Sequence, residues 1–131
     1  MKKPTSAFFI VNYDLYPYDI AVSFGQTNEQ IAKCLYKNFP KEDHKALENI
    51  INSKTIGKCT MVPSGITVIR IKELPRVSFD FGVLAHEIFH AVEFLMERIG
   101  MQYDINFSSE AYAYAIQYLT EKIYKKLGKF Y

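Results

Sequence analysis

The sequence predicts an α+β fold. Two β-favouring runs open the chain, two helical periodicities follow, and a hairpin pattern then precedes two longer helical stretches. The 131 residues are too few for two ordinary cores, so the whole span 1–131 is expected to form one domain. Apolar residues at 49% and charged residues at 23% mark a globular chain and exclude a disordered one.

Each element has its own signal. Residues 8–13 are rich in aromatic and branched side chains and read as a strand. A turn over 15–17 leads to a second strand over 19–24, which Gly25 ends. Thr27 or Asn28 caps a helix reaching Phe39, with Ile31, Leu35 and Phe39 at helical spacing. Pro40 breaks it, and residues 41–52 form a more polar helix built on Ala46, Leu47, Ile50 and Ile51. Residues 56–62 and 66–71 flank Pro63-Ser64-Gly65 as the arms of a hairpin. In the second arm Ile66, Val68 and Arg70 fall on one side, and Thr67, Ile69 and Ile71 on the other. Beyond Pro75, Ser78 or Asp80 caps a long helix reaching Ile99, with Gly100 placed as its terminating glycine. Ser108 or Ser109 opens a last helix that runs to Leu127 and stops at Gly128.

Charge and composition exclude several function classes. Sixteen Lys plus Arg against fourteen Asp plus Glu leave +2, which gives no electrostatic case for nucleic acid or an anionic membrane. The early apolar run over 7–11 is too short for a membrane span or a leader core, so a cytoplasmic, non-membrane protein is expected. Cys34 and Cys59 lack any CxxC spacing and are expected to be reduced, buried, small apolar residues. Ten Tyr and ten Phe suit a wet cleft or an interface.

The long helix carries His86-Glu87-Ile88-Phe89-His90, an HExxH motif. Residues four apart on a helix point the same way, so His86 and His90 can aim imidazole nitrogens at one Zn2+. Glu87 lies between them in the sequence and can reach a water held there as a general base. Leu84, Ile88, Ala91, Val92 and Leu95 form the apolar stripe, and both histidines lie off it on an arc shared with Glu93 and Glu97. Those two glutamates read as a solvated face, and His44 as a surface histidine. A catalytic zinc needs a third protein ligand, and Glu110 is the best placed, twenty residues after His90 on the returning last helix. There the helix dipole favours a carboxylate. Ala113, Tyr114 and Gln117 share its side, and Tyr114 or Gln117 could orient a ligand.

In these residues the sequence resembles the gluzincins, zinc metallopeptidases with HExxH and a downstream Glu ligand. The small size resembles a minigluzincin, a minimal form of that catalytic domain. The resemblance is tight over 80–119 and loose elsewhere. It implies a zincin-like fold: a small sheet with an edge strand against the HExxH helix, and a C-terminal helix carrying the third ligand. It implies His86, His90 and Glu110 as zinc ligands, Glu87 as catalytic base, and the strand over 66–71 as the edge that pairs with an extended peptide or protein substrate. Two features depart from the family. Tyr114 stands where many gluzincins carry an Asp that supports a histidine ligand. No residue is assured as the oxyanion partner, with His44, Tyr112, Tyr114 and Arg70 the candidates by type. The chain also has no room for the second domain that floors a larger cleft.

Residues 108–124 further resemble small peptidase-like proteins encoded in bacterial and phage genomes. That resemblance supports an alternative reading, a non-catalytic scaffold recruited into an assembly such as a virion, with a protein partner. The intact Glu87 favours the enzyme. A peptidase acting on DNA-bound proteins lacks its basic patch.

Overall fold

A computed structural model describes residues 3–131; Met1 and Lys2, the start of the span expected to form one domain, lie outside the described residues. The elements are β1 (Ala7–Asn12), β2 (Asp19–Phe24), α1 (Asn28–Asn38), α2 (His44–Ile51), β3 (Gly57–Met61), β4 (Thr67–Ile71), α3 (Ser78–Arg98) and α4 (Ser109–Leu127). The α+β expectation holds, and the element order is the expected one.

Local chemistry sets the boundaries. Thr27 caps α1: its hydroxyl accepts from the Gln30 amide at 3.1 Å, and the Gln30 side chain accepts from the Thr27 amide at 2.9 Å. The polar helix begins as a tighter 3-10 turn over Lys41–Asp43. Asp43 is fully buried there and accepts from the Ser64 amide and hydroxyl, which pins the β3–β4 turn to the start of α2. Neither expected residue is the N-cap of α3. Val77 takes that place, and Asp80 reaches back to accept from the amides of Arg76 and Val77. At the other end Gly100 adopts φ 76°, and the Met101 amide donates to Met96 at 2.8 Å, a Schellman closure. Ser108 precedes α4, but its hydroxyl turns back to the Gln102 carbonyl and the Asp104 amide.

The strands form one mixed sheet in the order β1-β2-β4-β3. β1 and β3 run antiparallel to their neighbours, and β2 and β4 are parallel. This corrects one expectation. The strand over 66–71 is interior, and β3 is the edge. The reason is burial: Thr67, Val68, Ile69 and Ile71 are buried, whereas every residue of β3 is half-buried. A strand apolar on both sides needs cover on both faces and a neighbour at each edge.

Helices cover both faces. Ile31, Leu35, Leu47 and Ile50 of α1 and α2 pack with Ala21 and Val68 on one side. Leu84, Ile88, Val92 and Leu95 of α3, with Leu119 and Ile123 of α4, pack with Ile20, Val22 and Ile69 on the other. Each such side chain contributes about 1.5–3 kcal/mol. Tyr18 is buried between the sheet and α3, where its hydroxyl donates to the Ala91 carbonyl at 2.8 Å and accepts from Thr67 at 2.5 Å. That bond fixes the height of α3 on the sheet one residue past His90. Both cysteines are unpaired and half-buried. Among the described residues no helix is long and apolar enough to cross a membrane.

Candidate metal centre

The apolar stripe of α3 faces the sheet, so the HExxH arc faces outward beside edge strand β3. His86 and His90 turn their rings towards each other, with Nε2 atoms 3.1 Å apart. Two imidazole nitrogens at about 2.0–2.1 Å from one tetrahedral zinc lie about 3.3 Å apart. The pair therefore fits the geometry of two ligands on one ion. His90 Nδ1 lies 2.8 Å from Glu93 Oε1, so the face expected to be merely solvated supplies a contact to a motif histidine.

Glu87 lies in the seam between α3 and β3, against Gly57, and is 6% exposed. Gly57 makes this seam close. A methyl group there would lie 2.7 Å from Val83 Cγ1 and 3.3 Å from Glu87 Oε1. Burial raises the Glu87 carboxyl above its ordinary pKa, against an opposing pull from His90 and His86. Cys59, on the same face of β3, has its thiol pKa raised by burial and then by Glu87 and Glu93, so it stays protonated and unreactive. A cleft of about 440 Å³ opens beside Glu87 and His86, walled by Ile56, Phe79 and Val83.

The β3 edge has a readable register. The Val62 amide donates to Ile66, and the Lys72 amide to Ile56, at 3.0 and 2.9 Å. Residues 56, 58, 60 and 62 therefore direct their backbone groups at β4, and Gly57, Cys59 and Met61 direct theirs outward. The Gly57 carbonyl is covered by the Thr55 hydroxyl at 2.9 Å. Cys59 and Met61 present the open edge.

The other expected residues are dispersed. Glu110 is exposed at the second position of α4. The face that α4 buries, through Tyr112, Ala115, Leu119 and Ile123, is roughly 160° around the helix from it. Among the described residues no group of three or more His, Cys, Asp or Glu is gathered to hold a metal. Tyr114 and Gln117 line a separate groove with Tyr13 and Tyr118, away from the histidine pair. Tyr112 donates to the Met101 carbonyl at 3.1 Å. Arg70 and His44 lie on the α1–α2 side. Arg70 donates to the carbonyls of Ile50, Ile51 and Gln26, and His44 Nε2 meets the Phe39 carbonyl at 3.1 Å. Neither can stabilise an oxyanion at His86, and His44 is a half-buried structural residue, not a plain surface one.

Sequence reasoning passed over Gly57 and assigned Glu93 to a solvated face. Glu93 had a signal, three residues after His90 on its own helix face. Gly57 had none, because its role depends on which strand forms the edge. No family model, curated protein or solved structure matches the chain.

Proposed function

We propose that this chain is a zinc-dependent peptidase of gluzincin type on a zincin-like scaffold, acting on a peptide or protein substrate. The observation that carries this reading is the 3.1 Å convergence of His86 and His90 Nε2 beside the buried Glu87. When bound, zinc would be held by His86, His90 and, by the gluzincin resemblance, Glu110, and would supply Lewis acidity to a carbonyl and to water. Bringing Glu110 to the histidine pair is the one rearrangement the reading requires.

The remaining steps belong to the chain's own residues. Glu87 accepts the proton of the attacking water and passes it to the leaving amine. The outward amides and carbonyls of β3 at Cys59 and Met61 hold the substrate as an added strand. The cleft of Ile56, Phe79 and Val83 takes an apolar side chain next to the reacting bond.

The test is zinc content by elemental mass spectrometry on protein purified without added metal, followed by hydrolysis of a peptide library. About one zinc per chain, weakened by Glu110→Ala, with cleavage lost in Glu87→Gln, is the expected result. No zinc after stoichiometric addition would overturn the reading.

The alternative is a recruited, non-catalytic scaffold within a protein assembly, in the cytoplasm or a virion. The outlying Glu110 favours it, as do Tyr103, Ile105 and Phe107, which are 60%, 74% and 90% exposed on the connection before α4. Zinc binding with no cleavage by the wild type across the library would make it the better account.

A further inference from the structure

We infer that Glu93 is the positioning residue for His90, holding its ring through Nδ1. The inference rests on the zinc-site reading above and concerns a residue that reading does not require.

The geometry is specific. Glu93 is one turn beyond His90 on α3, and its Oε1 lies 2.8 Å from His90 Nδ1. An Nδ1–H donated to that carboxylate leaves Nε2 as the lone-pair nitrogen. That nitrogen is the one aimed at His86 Nε2. Two bare lone pairs 3.1 Å apart repel, so a proton or a cation must lie between them. Glu93 fixes the tautomer in which His90 offers its lone pair to whichever is present. The carboxylate also holds the ring's rotation, as outer partners of histidine ligands do.

Two neighbours sharpen the assignment. Glu97 has the same chemistry one turn further on and serves as an internal control, since it makes no hydrogen bond to either histidine among the described residues. Tyr114 is 66% exposed on a groove away from the pair and gives neither histidine any support. The supporting carboxylate lies on the motif helix itself. This placement makes the orientation of His90 independent of where α4 lies, whereas Glu110 depends on α4 for its approach.

Two measurements on the full chain test this. In metal-free protein, 15N NMR of the histidine side chains should find His90 as the Nδ1–H tautomer, and Glu93→Ala should shift it towards Nε2–H. In zinc titrations against a chromophoric chelator, Glu93→Ala should weaken affinity about 10–100-fold. Glu93→Gln keeps an acceptor oxygen and should fall between that variant and the wild type. Glu97→Gln should bind as the wild type does, and the melting temperatures of the metal-free variants should match. Unchanged zinc affinity in Glu93→Ala, or an Nε2–H tautomer of His90 in the wild type, would overturn the inference while leaving the metallopeptidase reading standing. A wild type that binds no zinc would overturn both.

Discussion

On the α1–α2 side of the sheet, Arg70 gives its guanidinium hydrogens to Ile50, Ile51 and Gln26, and Asp43 closes on Ser64. On the α3 side, His86 and His90 turn their ring nitrogens towards one another, and Glu87 is buried with its charge disfavoured. Both sides bury apolar residues, the α3–α4 side the larger set. They differ in what their polar groups meet. On the first side the partners are backbone carbonyls, an amide, a turn hydroxyl and the Asn28 side chain, all of which tie chain segments together. On the second the titratable groups face each other beside an open cleft, an arrangement that only a proton, a cation or a substrate completes. Residue type alone does not separate them, since Arg70 and His44 were as plausible for chemistry as Tyr112.

The largest effect should come from breaking the α3 side at Glu87. Glu87→Gln keeps shape and burial and removes the proposed base, so the proposed peptide hydrolysis should fall about 10²–10⁴-fold with zinc binding retained. The stability change should run the other way. Glu87 has a raised folded pKa, so relative stability is highest below its unfolded value, about 4.3, and is lost as pH rises through the folded value. At pH 7 the neutral glutamine avoids that loss, and metal-free Glu87→Gln should melt no lower than the wild type. A variant that melts clearly lower would show that the carboxylate serves the fold. Next in size is Gly57→Ala, which pushes a methyl group against Val83 and Glu87. A displacement of about 1 Å at a catalytic group costs about 10²-fold, and kcat/KM should drop on that scale with zinc unchanged. Unaltered turnover would mean that β3 can retreat and that the close seam has no catalytic role.

The other side should fail differently. Arg70→Ala removes a donor from three carbonyls and from the Asn28 side chain and should cost about 2–3 kcal/mol in urea unfolding, with kcat per folded molecule unchanged. Arg70→Lys should recover only part, because an ammonium lacks the planar fork that reaches several acceptors at once. Loss of activity in folded Arg70→Ala would erase the division between the faces.

Much of this was legible in the sequence. The HExxH helix, the Thr27 cap, the hairpin and the side to which Arg70 points all follow from local spacing, and local spacing survives folding. Strand order does not. β4 was expected at the edge, although its apolar residues on both faces already argued for an interior place. Glu110 shows the other limit. Spacing places it on a returning helix, but the rotation of α4 is set by Tyr112, Ala115, Leu119 and Ile123 seeking the core, and these turn Glu110 away. Glu93 was visible as a carboxylate one turn from His90 and was assigned to solvent because surface carboxylates usually are solvated.

A third polar arrangement belongs to neither face and should give the smallest effect. At the rim, Lys122 of α4 donates to Asp14 and to the Asn12 carbonyl, and Tyr118 donates to Asp14 at 2.7 Å. Hydrogen bonds from Lys122 and Tyr118 lower the Asp14 pKa, and the bond to Asp14 raises that of Lys122. The carboxylate's contribution is present above its unfolded value, about 3.9, and is lost as pH falls through the lower folded value. The ammonium's contribution is present below about 10.4 and is lost as pH rises through its higher folded value. Between those limits the tether joins α4 to the β1–β2 turn, but both partners are solvated and screened. Asp14 has φ 62°, a conformation asparagine also tolerates, so Asp14→Asn removes the charge and spares the backbone. Its melting temperature at pH 7 should fall by an amount near the limit of measurement, and the two proteins should converge below the folded pKa of Asp14. A large loss at pH 7 would mean that α4 is held at its rim and not by its core. The rearrangement of Glu110 that the zinc proposal requires would then depend on this surface pair.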